Sequence, residues 1–218
     1  MKRLFGPEKP AVVSEVWPGQ FTVEPWLESL FTLPRVISVI TTRKENGASN
    51  ACPDASGTLI GGGTEYSSLI AVSVNGHTYT NVMREREWCI NLISSRMESK
   101  WRNAIKYNGP DNDELSDAGF TIEQGETVKA PRIGDSLVNL ECRLEWNRSL
   151  HQGSKTHLFC GRITAVAVHE SLVSCGTEER LRAMDLPYCV QDQVNPLSGE
   201  RLNPYALLSI SPQNLHPY

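Results

Sequence analysis

A run of polar side chains at residues 75–81 lies where a predicted strand leads into a predicted helix. Thr78 and Thr80 supply hydroxyl groups there, and His77 supplies a ring that can carry positive charge. The first N–H groups of a helix have no partner within it, and the helix dipole favours an anion beside them. Gly76 lets the backbone approach a ligand closely. The run therefore predicts a phosphate site at residues 76–81, with ordinary turn and helix-cap chemistry as the alternative.

Two further polar clusters stand at the ends of predicted strands. Thr41 and Thr42 leave one strand as a pair of hydroxyls, and the small residues 50–56 follow the next hairpin. Taken singly, each cluster is typical of turns. The sequence contains no GxSxG, HExxH or P-loop motif, and residues 61–63, three glycines, precede a strand rather than a helix. We therefore predict neither a catalytic acid–base pair nor a metal site.

Short runs rich in β-branched residues, separated by turn signals, predict an antiparallel barrel or sandwich. Asn46-Gly47 is a strong hairpin signal. Residues 138–146 alternate apolar and polar side chains with period two, which predicts one buried and one solvated face. Residues 52–66 contain a proline and four glycines and are predicted to be mostly loop. The predicted strands are 36–42, 48–51, 68–74, 88–93, 138–146 and 157–168.

Helical signals are fewer. Residues 25–31 predict a short helix with Pro25 in its first turn, and residues 78–87 predict another that Thr78 or Thr80 could cap. Ser95 and Glu98 have the spacing of a capping box, which predicts a helix that ends before Gly109-Pro110. Residues 113–118 predict a weaker helical turn.

Composition excludes some function classes. The 218-residue chain fits one domain with decoration better than two, and its net charge of -4 argues against nucleic-acid binding. No apolar run is long enough to span a membrane, and the N-terminus lacks the apolar core of a signal peptide. The six cysteines are scattered, which predicts mostly buried thiols in a reducing compartment. We expect a cytoplasmic protein.

Five segments in order resemble a known family. They are VITT followed by NG and SNACPDAS, then LIAVSVNGHTYTNVMREREWCINL, DELSDAGFT, APRIGDSLVNLECRLEW and GSKTHLFCGRITAV. Together they cover about residues 34–170 and are similar to the flavin-reductase-like FMN-binding split barrels of the flavoredoxin type. The resemblance implies a mainly β fold, an antiparallel Greek-key barrel with a few peripheral helices. It also implies non-covalent FMN and electron transfer through it.

The resemblance also implies which residues contact FMN. Backbone amides of the first hairpin hydrogen-bond the flavin ring in that family, and the loop after the hairpin reaches the ring or the ribityl chain. The phosphate falls where the residues alone predict an anion site, and a histidine of the last long strand joins the set. The implied contacts are Ile40, Thr41, Thr42, Asn50, Ala51, Cys52, Pro53, Ala55, Ser56, Asn75, His77, Thr78, Thr80 and His157.

Departures from the family pattern leave alternatives open. Many relatives carry Arg or Lys in the phosphate loop, so here His77 or Lys155 would supply the positive charge. Of the Gly-Asp-His of NADH-using members only His157 survives, which favours an electron carrier as an alternative to an NAD(P)H-dependent reductase. A non-enzymatic barrel for another ligand, such as haem or lipid, is a further alternative. Cys52, beside the implied flavin, is interpreted as a packing residue rather than a redox group.

Domain boundaries and partners follow from the same resemblance. It implies an N-terminal arm with a short helix at residues 1–33, the barrel at 34–170, and an extension at 171–218 that packs on the barrel or on a partner. Relatives are homodimers, so we expect a homodimer together with a small-molecule or protein electron donor and acceptor.

Overall fold

The structure is a computed structural model, and it describes residues 2–13, 26–31, 33–190, 193–203 and 206–208. The described chain forms two compact units. Of the described residues, one unit combines those up to Val36 with those between Tyr188 and Leu208, and the other runs from Ile37 to Pro187.

The strands and helices are numbered in chain order. The strands are β1 (Arg35–Val36), β2 (Ser38–Arg43), β3 (Ser49–Asp54), β4 (Thr58–Gly62), β5 (Glu65–Ser73), β6 (Glu87–Leu92), β7 (Ile122–Glu123), β8 (Arg132–Ile133), β9 (Val138–Ser149), β10 (Thr156–Val168), β11 (Tyr188–Val190), β12 (Gln193–Val194), β13 (Arg201–Asn203) and β14 (Ala206–Leu208). The helices are α1 (His77–Glu85), α2 (Glu98–Lys106), α3 (Glu114–Asp117), α4 (Glu170–Val173) and α5 (Thr177–Met184), with 3-10 turns at Trp26–Leu30 and Ser95–Met97.

The larger unit is built on a seven-stranded antiparallel sheet with the order β3-β2-β6-β9-β10-β5-β4. In a flat sheet its two edges would lie about 29 Å apart, six spacings of about 4.8 Å each. Only three residues connect the edge strands β3 and β4. That link can reach about 14 Å at most, so the sheet must curl until the end of β3 comes near the start of β4. The predicted antiparallel barrel is confirmed, and its split lies between β3 and β4.

The core lies inside this curl. Trp88 and Phe159 are its largest fully buried side chains, and Ile40 and Ile70 pack in the same cluster. Gly161 of β10 makes room for the Trp88 ring, because a Cβ there would lie 2.3 Å from Trp88 Cη2. The register of β10 against β9 shifts at the same place, between Cys160 and Gly161.

The smaller unit contains a three-stranded sheet of order β1-β11-β14 and the β12–β13 pair. The Trp26 indole N–H donates to Pro7 O at 2.7 Å, and the Arg35 guanidinium lies 2.7 Å from Glu28. The helix predicted at 25–31 is a 3-10 turn at Trp26–Leu30, and Pro25 lies outside the described residues. Residues 14–24 and 32 of the predicted arm, and residues 191–192, 204–205 and 209–218 of the predicted extension, lie outside them too.

Two local predictions in the first half of the chain are wrong. Residues 52–66 are mostly strand rather than loop, because β3 extends to Asp54 and a fully exposed β4 pairs with β5. The glycines permit this hairpin, since Gly61 and Gly63 both have positive φ. Helix α1 begins at His77 with Gly76 as its N-cap, so neither Thr78 nor Thr80 caps it.

Two predictions in the second half also need correction. Ser95 does not form a capping box with Glu98, because it opens a 3-10 turn and donates its hydroxyl to Asp185. Strand β9 does not alternate cleanly, because Asn139 and Glu141 are buried and Trp146 is 43% exposed. Both buried polar side chains are hydrogen-bonded to residues outside β9, which accounts for their burial. The long strand predicted at 157–168 is confirmed by β10.

In the described ranges, no helix combines the length and apolarity that a membrane span needs.

Candidate functional site

The first turn of α1 is open to an anion. Gly76, its N-cap, has extended backbone angles (φ −90°, ψ 154°), and no side chain caps the helix. The N–H groups of His77, Thr78 and Tyr79 have no acceptor among the described residues. Three aligned donors at the positive end of a nine-residue helix can bind one phosphate or carboxylate group.

Some side chains around this turn are free to contact a ligand, whereas others already make hydrogen bonds within the protein. Asn75 and Thr80 are exposed and available to a ligand. Thr78 is 4% exposed, and its hydroxyl accepts a hydrogen bond from Asn50 Nδ2 at 3.0 Å, so only its N–H faces the anion position. The backbone carbonyl of Lys155 accepts a hydrogen bond from Val74 N at 2.9 Å, which places its backbone next to Asn75.

Contacts of α1 bring the predicted segments together. Asn50 of β3 bonds Thr78, and Asn81 donates to the Thr42 hydroxyl of β2 at 3.0 Å, so the hairpin is fixed against the helix. The Tyr79 ring lies edge-on to His157 of β10, with centroids 5.1 Å apart. The hairpin, the helix start and the last long strand therefore converge as the resemblance implies.

Most backbone N–H groups of the β2–β3 hairpin already donate hydrogen bonds within the protein. Ala51 N–H donates to Glu114 Oε2 at 2.8 Å. N–H directions alternate along a strand, so the amides of Asn50 and Cys52 face β2, and Pro53 has none. Strand β2 pairs on both edges, with β3 and with β6. Its predicted contact residues Ile40, Thr41 and Thr42 are buried. Flavin contact at these positions stays a prediction.

The link between β3 and β4 offers free donors at the barrel's split. Asp54 accepts hydrogen bonds from the Ser56 hydroxyl at 2.6 Å and from Gly57 N at 2.7 Å, which fixes the turn. The N–H groups of Ala55 and Ser56 have no acceptor within the described part of the chain. The link therefore presents two backbone donors, where contact with the ring or ribityl chain is predicted.

A buried ion pair beneath the site was not predicted. Lys44 Nζ lies 2.9 Å from Glu114 Oε1, and the two side chains are 6% and 1% exposed. His77 Nδ1 lies 3.5 Å from the same oxygen. Burial raises the pKa of Glu114, while the Ala51 N–H, Lys44 and His77 act to lower it. No sequence motif marks the pair, because Lys44 and Glu114 are far apart in the chain, and only the folded hairpin brings them together.

Cys52 is half-buried beside Thr78 and Asp54. Burial is the main cause that raises the pKa of its thiol to about 12, and the charge of Asp54 adds to this effect. A thiol in that state is neutral at physiological pH and is a poor nucleophile. This supports the interpretation that Cys52 packs rather than reacts.

His157 is held inside the barrel. It is 8% exposed, and its Nε2 lies 2.8 Å from Asn147 Oδ1. The rings of Tyr79 and Phe159 also lie against it, at centroid distances of 5.1 and 5.0 Å. These contacts leave little of the imidazole open to a ligand. In the described residues, no group of three or more His, Cys, Asp or Glu side chains could hold a metal ion.

Comparison with known protein families shows which family the chain belongs to. Residues 30–178, about two thirds of the chain, match the family model described as flavin reductase like domain. The chain belongs to this family. The match therefore indicates a flavin as the class of cofactor.

Two curated relatives are similar to this chain in sequence, and both are described only as uncharacterized proteins. An uncharacterized protein of Aquifex aeolicus is 27% identical over 119 residues, which cover 51% of this chain and 59% of the relative. The uncharacterized protein YwrF of Bacillus subtilis is 25% identical over 185 residues, which cover 81% of this chain and 84% of the relative. The chain thus spans less than two thirds of the Aquifex relative's length.

Solved structures share the fold. Nitrilotriacetate monooxygenase component B from Bacillus cereus superposes with a TM-score of 0.71 at 17% identity, covering 94% of this chain and 98% of that one. A flavin reductase with a split barrel domain from Shewanella frigidimarina gives 0.70 at 19% identity, with coverage of 88% and 90%. Flavoredoxin of Desulfovibrio vulgaris gives 0.66 at 18% identity, with coverage of 94% and 98%. The barrel is therefore the split barrel of flavin reductases.

The residues present fit a flavin that ends in one phosphate. Three N–H groups at the start of α1 have no acceptor in the described part of the chain and can bind one phosphate group, and the N–H groups of Ala55 and Ser56 have none there either. Exposed polar groups at Asn75 and Thr80 can complete the phosphate contacts.

Proposed function

We propose that this protein binds FMN without a covalent link. The observation that carries the proposal is the uncapped first turn of α1, held beside the hairpin by the Asn50–Thr78 and Asn81–Thr42 hydrogen bonds. A phosphate bound there distinguishes FMN from riboflavin. Non-covalent binding needs no reactive side chain, which agrees with a neutral Cys52 thiol.

Bound FMN would supply the redox chemistry, accepting a hydride equivalent and releasing electrons to a second acceptor. The protein's residues would position the cofactor and exclude water. The amides of Ala55 and Ser56 would donate to the ring or ribityl oxygens, while residues 77–79 would hold the phosphate. No side chain needs to act as a general acid or base.

The electron donor distinguishes two functions. An NAD(P)H-dependent oxidoreductase is the first proposal, and an electron carrier reduced by another protein is the second. The second is favoured by His157, which is buried against Asn147 and Tyr79 rather than presented to a nicotinamide. A non-enzymatic haem barrel is disfavoured, because His157 faces Asn147 and His77 faces Glu114.

Two measurements test this function. The purified protein, incubated with FMN and desalted, is expected to keep the two visible absorbance bands of flavin. A colourless protein after this treatment would contradict FMN binding. Stopped-flow mixing of the loaded protein with NADH or NADPH then separates the two functions. Reduction faster than that of free FMN supports the NAD(P)H-dependent oxidoreductase. Reduction at the rate of free FMN supports the electron carrier that another protein reduces.

We also propose a cytoplasmic homodimer. Ile60 of β4 and Trp146 of β9 are 41% and 43% exposed, and the registers through Leu69 and Cys160 place them on one face of the sheet. An apolar surface of this kind supports self-association. Light scattering during size-exclusion chromatography is expected to give twice the chain mass. A monomer at micromolar concentration would exclude the dimer.

A further inference from the structure

Helix α1 is held by the barrel on two sides. One side is apolar, because Val82 is fully buried in the core cluster and Tyr79 packs against that cluster. The other side is polar, because Thr78, Asn81 and Arg84 follow one another at intervals of three and lie on one side of the helix. Each of these three side chains makes a hydrogen bond with the β2–β3 hairpin.

Two of these hydrogen bonds are buried. Asn50 is 3% exposed, and its side-chain amide donates to the Thr78 hydroxyl at 3.0 Å. Asn81 is 4% exposed and donates to the Thr42 hydroxyl at 3.0 Å. A buried amide that loses its acceptor still bears the cost of leaving water, so neither bond breaks easily. Hydrogen bonds are directional and apolar contacts are not, so the polar side fixes where α1 lies along the hairpin.

The Asn50–Thr78 bond also joins two groups of backbone donors. Asn50 lies in β3, and that strand leads at its end into the link that carries the N–H groups of Ala55 and Ser56. Thr78 is the second residue of α1, and its own N–H is one of the three that have no acceptor among the described residues. A flavin with a phosphate must meet both groups of donors at once, whereas a flavin without one needs only the link. The bond therefore sets a distance that matters for the phosphorylated flavin alone.

We propose that Asn50 and Asn81 are positioning residues, which hold the first turn of α1 where it reaches the phosphate of a flavin bound at the link. Their side-chain amides act through Thr78 and Thr42 and not by contact with the cofactor, because both amides are buried and occupied. They thereby set the preference for FMN over riboflavin. This inference rests on the proposed function and names the residues that make its phosphate site selective.

The ratio of the two flavin affinities tests this role. Fluorescence titration of the full-length apo-protein at pH 7 is expected to show FMN bound more tightly than riboflavin. Asn50→Leu and Asn81→Leu each remove one buried hydrogen bond and keep a side chain branched at the same carbon. Each is expected to weaken FMN by about tenfold, with little change for riboflavin. A general loss of stability would instead weaken both flavins alike and leave their ratio unchanged.

A buried asparagine away from α1 is the matched control. Asn139 is 4% exposed, and its amide donates to Asn91 Oδ1 at 2.8 Å and to Ile133 O at 3.0 Å. Asn139→Leu therefore removes buried hydrogen bonds of the same kind and is expected to keep the wild-type ratio. A ratio that falls as far in Asn139→Leu as in Asn50→Leu would contradict the assignment.

Thr78 allows a milder test of the same bond. Thr78→Ser keeps the hydroxyl that accepts from Asn50 and is expected to retain the preference for FMN. Thr78→Val has nearly the same shape but no hydroxyl, and it is expected to lose the preference. A Thr78→Val protein that still prefers FMN as strongly as the wild type overturns the inference and leaves the proposed function standing. A wild-type protein that binds neither flavin overturns the proposed function as well.

Discussion

Lys44 carries a charge that is almost completely removed from water. Its ammonium group is compensated by Glu114 and by two backbone carbonyls. Lys44→Met would leave the Glu114 carboxylate buried without its cation, so we expect a loss of about 3–5 kcal/mol in the free energy of unfolding. The exposed Lys106→Met is the matched control, with an expected change of about 0.5 kcal/mol or less. Urea unfolding measures both, and equal effects would refute the role of the buried pair.

Glu141 gives a stability contribution that depends on pH. Burial acts to raise the pKa of this carboxyl, but the N–H groups of Glu126 and Thr127 and the Thr127 hydroxyl bring it below its ordinary value. A lowered folded-state pKa stabilises the protein above the ordinary value of about 4.3, and this contribution is lost as pH falls through the folded-state pKa.

Glu141→Gln tests this contribution. We expect the variant to lose about 1–3 kcal/mol at pH 7, because one or more of the three donors loses its charged acceptor. We also expect its stability to fall less steeply than that of the wild type below pH 4. Urea unfolding at pH 7 and at pH 3.5 measures both effects. Parallel stability curves for the two proteins would contradict this assignment.

Strand β10 depends on a glycine where its register shifts. Gly161→Ala would place a methyl group 2.3 Å from the Trp88 ring and 2.8 Å from Arg143 O. Such overpacking costs typically about 1–3 kcal/mol, which we expect as a lower midpoint in urea. Gly62→Ala in β4 is the control, since a Cβ there meets nothing within 4 Å. A Gly161→Ala protein as stable as Gly62→Ala would show that the ring moves aside freely.

Elements with a local signal could be predicted, and those that depend on distant partners could not. The hairpin at Asn46-Gly47 and the long β10 have signals within a few residues. Strand β4 does not, because its glycine-rich sequence becomes a strand only through pairing with β5. The same reason explains the site: the start of α1 is visible in the sequence, whereas Lys44 and Glu114 meet only after the hairpin and α3 have packed.

At the scale of the whole molecule, a bound flavin should stabilise the fold. A ligand at about one hundred times its Kd contributes about 2.7 kcal/mol. For a chain of this size that corresponds to a rise in Tm of about 5–10 °C. We expect this rise with FMN and a smaller one with riboflavin at the same concentration, measured by thermal unfolding at pH 7. Equal shifts with both flavins would argue against a phosphate contact.

The two edges of the barrel sheet are unlike each other. Along β3, the amides of Ser49 and Ala51 that point away from β2 donate to the carboxylates of Asp113 and Glu114. Along β4 every residue is exposed, and within the described chain β5 is its single strand neighbour. A bare edge can recruit another strand, whereas a sealed edge cannot. Pairing between the β4 strands of two molecules would therefore stop at two chains. A fibril could not grow from this pair, because the β3 edge of each molecule is already occupied.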